Sequence, residues 1–239
     1  MSPSRKVTLG SENRILASLP RDDYQRILSG LKPVSLKLGD VLYEADEAIR
    51  YVYFPIKSVA SLIWKTEDST TIEVGMVGNE GVTGISIISG IKRLPYQTIV
   101  QGADDAMRMN ATALIDEFNQ YGALHDLLLQ YMHGLFMQVA RTAICNRIHP
   151  IQQRFCRWLL MIRDRTSSDE LRLTHEFIGS MLGARRTDVT IAAGGLQKAG
   201  LIHYSRGNVT VLDLQRLAAA SCDCYRISKA EFERVGLGL

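Results

Sequence analysis

The chain has 239 residues, of which 46% are hydrophobic and 22% charged, an ordinary composition for one large or two small globular domains. No apolar run reaches the roughly 18 residues needed to span a bilayer, and the first residues do not resemble a signal peptide. Four cysteines are too few for a disulfide framework, so we expect a protein of the reducing cytoplasm without membrane contact.

The formal net charge of +3 is divided unevenly along the chain. Residues 1–140 carry 13 Lys and Arg against 16 Asp and Glu, whereas residues 141–226 carry 13 against 7. The first part is therefore net −3 and the second net +6. This asymmetry favours a polyanionic partner for the second part, although basic domains without such a ligand are also common.

Short antiparallel strands are predicted between Lys32 and Met109, after a short helix that contains Ile15 and Leu28. Apolar and polar residues alternate from Val34 onward, and turns separate the later segments. Strands spaced about 8–12 residues apart favour a small barrel or sandwich. The predicted strands are Val34–Leu38, Val41–Tyr43, Tyr51–Phe54, Ser58–Trp64, Thr70–Val77, Pro95–Gln101 and Ala106–Met109.

A long helix is predicted from about Leu124 to Ile148, where residues 127–140 include no Asp, Glu, Lys or Arg. Two apolar stripes fit this helix, so one can cover the barrel while the other covers the same helix of a second copy. A helix buried on several sides within one monomer is the alternative. The stripes are Leu128, Met132, Leu135, Val139 and Leu129, Met132, Phe136, Val139, Ala143.

His149-Pro150 is predicted to end the long helix, because proline disfavours helical geometry in the preceding residue. We therefore divide the chain there. Residues 1–122 are predicted to form an effector-sensing barrel, and residues 123–149 a dimerisation helix and hinge. Residues 150–220 are predicted to form a DNA-binding domain, followed by a tail over residues 221–239.

The most specific pattern is a pair of helices separated by a glycine. Thr174 is predicted to cap a helix over His175–Leu182, since its hydroxyl can accept a hydrogen bond from the first turn. Gly183 provides the tight turn of a helix-turn-helix unit, and the second helix starts near Ala184. Gly200 ends that helix.

Two short strands follow the second helix. Leu201–Tyr204 and Val209–Leu212 are joined around Arg206-Gly207-Asn208, where glycine and asparagine tolerate positive φ. Helix, turn, helix and β-hairpin together predict a winged helix-turn-helix. The predicted fold class is α+β, with an N-terminal antiparallel β-barrel, a long dimerisation helix and this C-terminal unit.

The start of the second helix carries the side chains that we expect to contact DNA in the major groove. An arginine there can donate two hydrogen bonds to guanine, while threonines suit phosphates or the thymine methyl group. Asp188 is expected to orient an arginine or to accept from cytosine, and a solvated pair of surface arginines is the alternative. The predicted DNA-binding residues are Arg185, Arg186, Thr187, Asp188, Thr190, Thr174 and Arg206.

Three segments of the chain resemble the Crp/Fnr superfamily of bacterial transcription regulators, and the resemblance spans residues 9 to about 220. LTHEFIGSMLGARRTDVTIAAGGLQKAGLI is similar to the superfamily's recognition unit. LKLGDVLYEADEA resembles the opening of its cyclic-nucleotide-binding-like jelly roll, and VGMVGNEGVTG resembles its glycine-rich phosphate cassette. The resemblance implies that Arg186 reads a base. Thr187 replaces the usual glutamate, so the half-site of the best-known members is not implied.

The same resemblance identifies a candidate effector pocket, formed by residues Asn79, Glu80, Gly81, Tyr96 and Gln97. Members that bind cyclic AMP hold the phosphate through cassette amides and an Arg-Ser or Arg-Thr pair, and hold the ribose through a glutamate. Glu80 matches that glutamate, but Asn79 replaces a glycine and Tyr96-Gln97 replaces the pair. Without the arginine the phosphodiester loses its main anchor, although a shifted alignment could bring Arg93 into that position. We predict an effector other than cyclic AMP, or none.

The four cysteines are expected to be buried or incidental. Cys222-Asp223-Cys224 supplies two of the four ligands that a metal usually needs, and Cys145 and Cys156 stand eleven residues apart. No cysteine precedes Cys145, so the N-terminal iron–sulfur cluster of some Crp/Fnr members has no counterpart. We expect no metal and no cofactor, and a redox role of these thiols stays open.

The sequence carries no nucleophile elbow, P-loop, zinc-protease motif or dinucleotide fingerprint, so we do not expect an enzyme. The predicted function is that of a homodimeric transcription regulator that reads a near-palindromic operator in double-stranded DNA. RNA polymerase is an expected partner. The alternatives are a thiol-based redox-responsive regulator and a partner-binding module that has lost DNA binding.

Overall fold

The computed structural model describes residues 12–67 and 70–238. Two short helices open the described chain, α1 (Arg14–Ala17) and α2 (Arg21–Leu28). The sequence predicts one helix here. Pro20 separates the two because it is the N-cap of α2, where a residue without a backbone N–H donor is tolerated.

Seven strands form two antiparallel sheets, with strand orders β1-β7-β3 and β2-β6-β4-β5. Each strand overlaps its predicted counterpart, which confirms the expected antiparallel barrel or sandwich. The first strand ends at Leu36 rather than Leu38, because the N–H of Lys37 already donates to the Asp40 carboxylate in the following turn. The strands are β1 (Lys32–Leu36), β2 (Val41–Tyr43), β3 (Tyr51–Pro55), β4 (Val59–Lys65), β5 (Thr71–Val77), β6 (Gln97–Gly102) and β7 (Asp104–Asn110).

Three helices follow the strands: α3 (Ala111–Phe118), α4 (Ala123–Ile148) and α5 (Ile151–Thr166). His149 is the C-cap of α4 and has extended backbone geometry, as expected for a residue before proline. One side of α4 is buried against its own chain through Leu124, Leu128, Tyr131, Leu135 and Gln138. The neighbouring side exposes Leu129, Met132, Phe136, Ile144 and Ile148.

The carboxyl-terminal unit is a helix-turn-helix followed by a hairpin. Its strands form a small antiparallel sheet of order β8-β10-β9. The residues after 220, which the sequence analysis leaves as a tail, form a helix that packs on α4. The elements are β8 (Glu170–Arg172), α6 (His175–Leu182), α7 (Arg186–Lys198), β9 (Ile202–Ser205), β10 (Asn208–Val211), α8 (Leu214–Ala220) and α9 (Cys224–Arg234).

The two halves of the chain share buried surface. Val59, Ile63 and Met76 of the four-stranded sheet belong to the same apolar cluster as the helices of the winged unit. Helix α9 packs on α4 beside Gly134. A Cβ atom there would lie 2.8 Å from the Phe232 ring of α9, so this close approach requires glycine in α4. The winged unit is therefore held against the strands and against the long helix.

Candidate nucleic-acid interface

Helix α6 has the bounds that the sequence predicts. The Thr174 hydroxyl accepts a hydrogen bond from the N–H of Phe177 at 3.1 Å, as an N-cap does. Gly183 ends the helix with φ +57°, in the left-handed region that favours glycine. The hydroxyl acts as an acceptor in this cap, and the predicted role of Thr174 in DNA binding stays a prediction.

The turn between α6 and α7 is tight. The N–H of Ala184 donates to the carbonyl of Gly179 at 2.9 Å. A Cβ atom on Gly179 would lie 2.8 Å from the Ala184 oxygen, a backbone atom that cannot rotate away. Gly179 is therefore a second glycine on which the turn depends, besides the predicted Gly183.

Helix α7 begins at Arg186 with Arg185 as its N-cap, two residues later than the predicted start near Ala184. The Arg185 side chain is 84% exposed and forms an ion pair with Asp188, with 3.1 Å between Nε and Oδ2. This is the geometry of an aspartate that orients an arginine. Arg186 and Thr187 are exposed beside the pair, and Arg186 forms no ion pair with any residue described.

His175 joins both helices to the wing, a role that sequence reasoning missed. Its Nδ1 lies 3.0 Å from the Thr190 hydroxyl, which also donates to the carbonyl of Arg186 at 2.9 Å. Its ring stacks on Tyr204 of β9 with 4.0 Å between centroids. Partial burial, together with the charge of Arg186, lowers the pKa of His175, so the neutral ring is favoured in this contact.

The wing turn differs from the predicted one. The positive φ angles fall on Arg206 at +47° and Gly207 at +79°, while Asn208 is already part of β10. Two successive positive φ angles are typical of a type I′ hairpin turn. Arg206 stands exposed at the tip at a conformational cost of about 1 kcal/mol.

The amino-terminal end of α7 faces the β4–β5 hairpin of the first half of the chain. A Cβ atom on Gly183 would lie 3.2 Å from the Ile72 side chain. A shared depression of about 410 Å³ separates the hairpin from the end of the helix. It is lined by Thr70, Thr71, Glu176, Gly179, Ser180, Gly183, Ala184, Arg185 and Arg186.

The cassette glutamate is sealed inside the molecule. Glu80 and Arg165 of α5 both have side chains with no exposed surface, and Arg165 Nη2 lies 2.8 Å from Glu80 Oε1. Arg165 Nε donates to the same oxygen at 2.9 Å, and the N–H of Gly78 donates to the other at 3.1 Å. The carboxylate that resembles a ribose ligand is thus paired with an arginine of the carboxyl-terminal half.

The other candidate pocket residues also have partners within the chain. A Cβ atom on Gly81 would lie 2.1 Å from the Tyr131 ring, so this ring packs directly on the cassette. The Tyr96 ring lies 6.4 Å from that of Trp64, and Gln97 donates to the Glu44 carboxylate at 2.7 Å. Asn79 is half-buried, and its carbonyl accepts from the N–H of Arg14 at 2.7 Å.

Arg93, the cation that a shifted alignment could supply, donates to the carbonyl of Asp46 at 2.7 Å. It forms no ion pair with a carboxylate among the residues described.

Glu73 forms a second polar link between the halves that sequence reasoning did not find. Its carboxylate accepts from the Ser61 hydroxyl at 2.7 Å and from Trp158 Nε1 of α5 at 3.0 Å. Burial raises the pKa of Glu73 to about 7, although these two hydrogen bonds favour the charged form. The pattern of the sequence places Glu73 in a strand but gives no sign that its partner lies in α5.

A two-sheet domain is followed along the chain by a long helix and by a winged helix-turn-helix, a motif that places its second helix in the major groove of DNA. Residues 153–220 match the Crp-like helix-turn-helix domain, so this part of the chain belongs to that domain family. The Crp/Fnr resemblance is thereby confirmed for the winged unit.

Solved structures extend the likeness to the fold of the whole chain. A regulator assigned to the Crp/Fnr family from Eubacterium rectale has a TM-score of 0.67 and 17% identity, covering 90% of this chain and 99% of its own. A CRP-family regulator from Thermus thermophilus has a TM-score of 0.64 and 20% identity, covering 80% and 97%. The c-di-GMP responsive regulator CLP from Xanthomonas campestris has 0.64 and 14%, covering 81% and 100%.

The chain matches none of the curated proteins compared with it. Among the described residues, no helix combines the length and apolar character that crossing a membrane requires.

Proposed function

We propose that this protein is a Crp/Fnr-type transcription regulator, a homodimer that reads a near-palindromic operator in double-stranded DNA through helix α7. The observation that carries the proposal is the exposed start of α7, where Arg185, Arg186 and Thr187 stand beside the orienting Asp188. The first turn of such a helix enters the major groove, and an arginine there can bind guanine through two hydrogen bonds. Thr190, Thr174 and Arg206 are proposed as supporting contacts to phosphate or sugar.

The exposed apolar side of α4 supports the dimer. Leu129, Met132 and Phe136 are 39%, 36% and 66% exposed, and their spacing of three and four residues places them on one side of the helix. Side chains at helical spacing on one exposed face are typical of a helix pair. Light scattering on the purified chain is expected to give twice the monomer mass, and a monomer would contradict the dimer.

The proposed effector is a compound other than cyclic AMP, or there is none. Glu80 is paired with Arg165, Tyr131 packs on Gly81, and Tyr96 and Gln97 supply no cation for a phosphodiester. Calorimetry is expected to detect no micromolar binding of cyclic AMP. Micromolar binding that is lost in Tyr96→Ala would contradict this part of the proposal.

The proposed control mechanism is a change in the contact between the two halves. The β4–β5 hairpin stands beside the end of α7 that is expected to enter DNA. A signal that moves the strands can bias the winged unit between two positions through the hinge at His149-Pro150. We propose a cytoplasmic location and RNA polymerase as a further partner.

Selection of binding sites from random duplex DNA tests the proposed function. The expected product is a two-fold symmetric site whose half-sites are centred about 10–10.5 base pairs apart or a multiple of that spacing. Failure to enrich any sequence at low salt would contradict sequence-specific binding and would favour the partner-binding module.

A redox-responsive regulator is the second candidate that an observation favours, because Cys145, Cys222 and Cys224 lie together. Its test is the affinity for the selected site before and after oxidation, with the Cys156→Ser variant as control. Thiol-based control would be supported if oxidation lowers the affinity of the wild type and of Cys156→Ser but leaves the affinity of Cys145→Ser unchanged. Equal affinity in both states would dismiss it.

A further inference from the structure

Three cysteines and one histidine from distant parts of the sequence meet where α4 ends. Cys145 and His149 lie one helical turn apart at the end of α4, Cys222 lies between α8 and α9, and Cys224 is the first residue of α9. The four candidate ligand atoms all lie within 4.8 Å of one another. The cysteines are 0%, 5% and 0% exposed in chain order, so the three thiols are buried, and His149 is partly buried beside them.

Two of the six distances between the donor atoms match a single tetrahedral ion, and none of the six exceeds 4.8 Å. The Sγ atoms of Cys145 and Cys222 are 3.5 Å apart, and Cys224 Sγ lies 3.6 Å from His149 Nδ1. Zinc bonds of about 2.3 Å to sulfur and 2.0–2.1 Å to nitrogen place tetrahedral ligands roughly 3.5–3.8 Å apart. The donors are therefore already close to the spacing that zinc requires.

The histidine is oriented by a group outside the cluster. While Nδ1 of His149 faces Cys224, its Nε2 lies 3.6 Å from the Asp223 carboxylate. A carboxylate on the second ring nitrogen is the usual outer partner of a metal-bound histidine, because it fixes the tautomer and the ring orientation. Asp223 comes from the same C-x-C segment that supplies two of the thiols.

A buried arginine that forms no ion pair among the described residues stands beside the thiols. Arg157 is 6% exposed, and its Nη2 donates to the Thr142 hydroxyl at 2.8 Å. It forms no ion pair within the described ranges 12–67 and 70–238, yet its charge acts on Cys145 and Cys224. Zinc with three thiolates and one imidazole has a net charge of −1, which this guanidinium would offset.

We propose that Cys145, His149, Cys222 and Cys224 bind one zinc ion as a closed Cys₃His site. The C-x-C pattern predicts no metal because it supplies two of the usual four ligands. The other two ligands lie more than seventy residues away along the chain. Thiolate and imidazole ligands in tetrahedral arrangement select zinc over the hard cations magnesium and calcium. Four protein ligands leave no open position, so the ion is structural rather than catalytic.

Two other uses of the cysteines fit the geometry less well. A disulfide needs sulfur atoms about 2.05 Å apart and would leave Cys224 and His149 without a role. An iron–sulfur cluster needs ligands that stand apart to make room for its inorganic sulfides, whereas these four donors converge.

The position of the ion gives it a mechanical role, an extension that rests on the proposed function. One pair of ligands belongs to the end of the proposed dimer helix, and the other pair follows the winged unit along the chain. Zinc would fasten the hinge at His149-Pro150 across both halves. Its removal is expected to loosen the winged units and to lower affinity for the selected operator.

The test is the metal content of the full chain, purified under reducing conditions without chelator. Elemental analysis and native mass spectrometry are expected to find about one zinc ion per chain. Cys222→Ser and His149→Gln are expected to lose that zinc, whereas Cys156→Ser is the matched control, since Cys156 is buried outside the group. A zinc-free wild type that takes up none from zinc sulfate would overturn the proposal, as would equal zinc loss in Cys156→Ser.

Cobalt substitution keeps the test valid where a variant folds poorly. Wild-type chain loaded with Co²⁺ is expected to show the intense visible bands of tetrahedral cobalt together with thiolate-to-cobalt charge transfer. A weak octahedral spectrum would overturn the proposal, and so would a Cys145–Cys222 disulfide in the freshly isolated protein. Zinc content is measured independently of DNA binding. A chain that holds zinc but selects no operator would therefore contradict the proposed function and leave the zinc site standing.

Discussion

Two arginine–carboxylate pairs, one exposed and one buried, show how the same chemistry serves different roles in this chain. Arg185–Asp188 lies at the start of α7 with the arginine 84% exposed, whereas Arg165–Glu80 joins α5 to the cassette with both side chains fully buried. An exposed pair costs little to open, so its arginine is available to a ligand. A buried pair leaves an uncompensated charge when it is opened, so it acts as a structural connection.

Residues that resemble a family motif therefore need not keep the role that the motif has in the family. At α7, the residues expected to face DNA are exposed. At the cassette, Glu80 forms an ion pair with Arg165, and the Tyr131 ring packs on Gly81. The glycine-rich segment therefore serves as an interface between the halves.

Breaking the buried pair is expected to have the largest effect. Arg165→Ala leaves Glu80 charged and unpaired in the interior, which should lower the free energy of unfolding by about 3–5 kcal/mol. Urea denaturation at neutral pH measures the loss, and Arg185→Ala serves as the matched control with a change of about 0–1 kcal/mol. Equal losses in the two variants would contradict the contrast between the pairs.

Glu73 is expected to make stability depend on pH. Its pKa is about 7 in the folded chain against the usual 4.5, so the unfolded chain releases this proton first as pH rises. Stability from this group is fully present below about pH 4.5 and is lost as pH rises through 7, on the order of 3 kcal/mol in all.

The measurement for Glu73 is denaturant unfolding of wild type and Glu73→Gln between about pH 5 and pH 8. The wild type should lose stability relative to the variant over this range. Ser61, Trp158, Arg157 and Arg165 are present in both proteins, so the difference between the two pH profiles isolates the carboxyl group of Glu73. Parallel pH profiles would show that its burial has no such consequence.

Closing the tight turn with a methyl group is expected to have an intermediate effect. Gly179→Ala forces a Cβ atom to 2.8 Å from the Ala184 oxygen and should destabilise the winged unit by about 1–3 kcal/mol. Gly194→Ala is the control, because a Cβ there meets nothing within 4 Å and alanine favours the helix by about 1 kcal/mol. Thermal unfolding of both variants should therefore give shifts of opposite sign.

The exposed pair is expected to give the smallest change in stability. Asp188→Ala removes the partner of Arg185 and should alter the free energy of unfolding by about 0–1 kcal/mol. Its effect should appear instead in a repeated binding-site selection, as a changed base preference within each half-site. An unchanged base preference would show that Asp188 plays no part in DNA recognition.

Local patterns predicted the fold well because the decisive signals lie within a few residues of one another. The Thr174 cap and Gly183 gave helix α6 its bounds, and His149-Pro150 marked the end of α4. The wing turn was misplaced by one residue because the pattern favours glycine and asparagine at positive φ, whereas Arg206 takes that conformation here.

The contacts that define the sites could not be predicted, because they join residues far apart in sequence. Glu80 and Arg165 are 85 residues apart, and Cys145 and Cys222 are 77 apart. No periodicity or spacing reports such pairs. His175 was also missed, since its stacking on Tyr204 depends on how the wing packs against α6.

The affinity of Arg186→Ala for the selected operator is the most direct test of whether helix α7 reads the operator. Arg26→Ala is the matched control, because Arg26 is an exposed arginine of the first domain that pairs with Asp23 and Glu117. At fixed salt, we expect Arg186→Ala to lose about 1–3 kcal/mol of specific binding and to relax one base position, while Arg26→Ala binds as wild type. Unchanged specific affinity in Arg186→Ala would show that α7 does not read the operator as described.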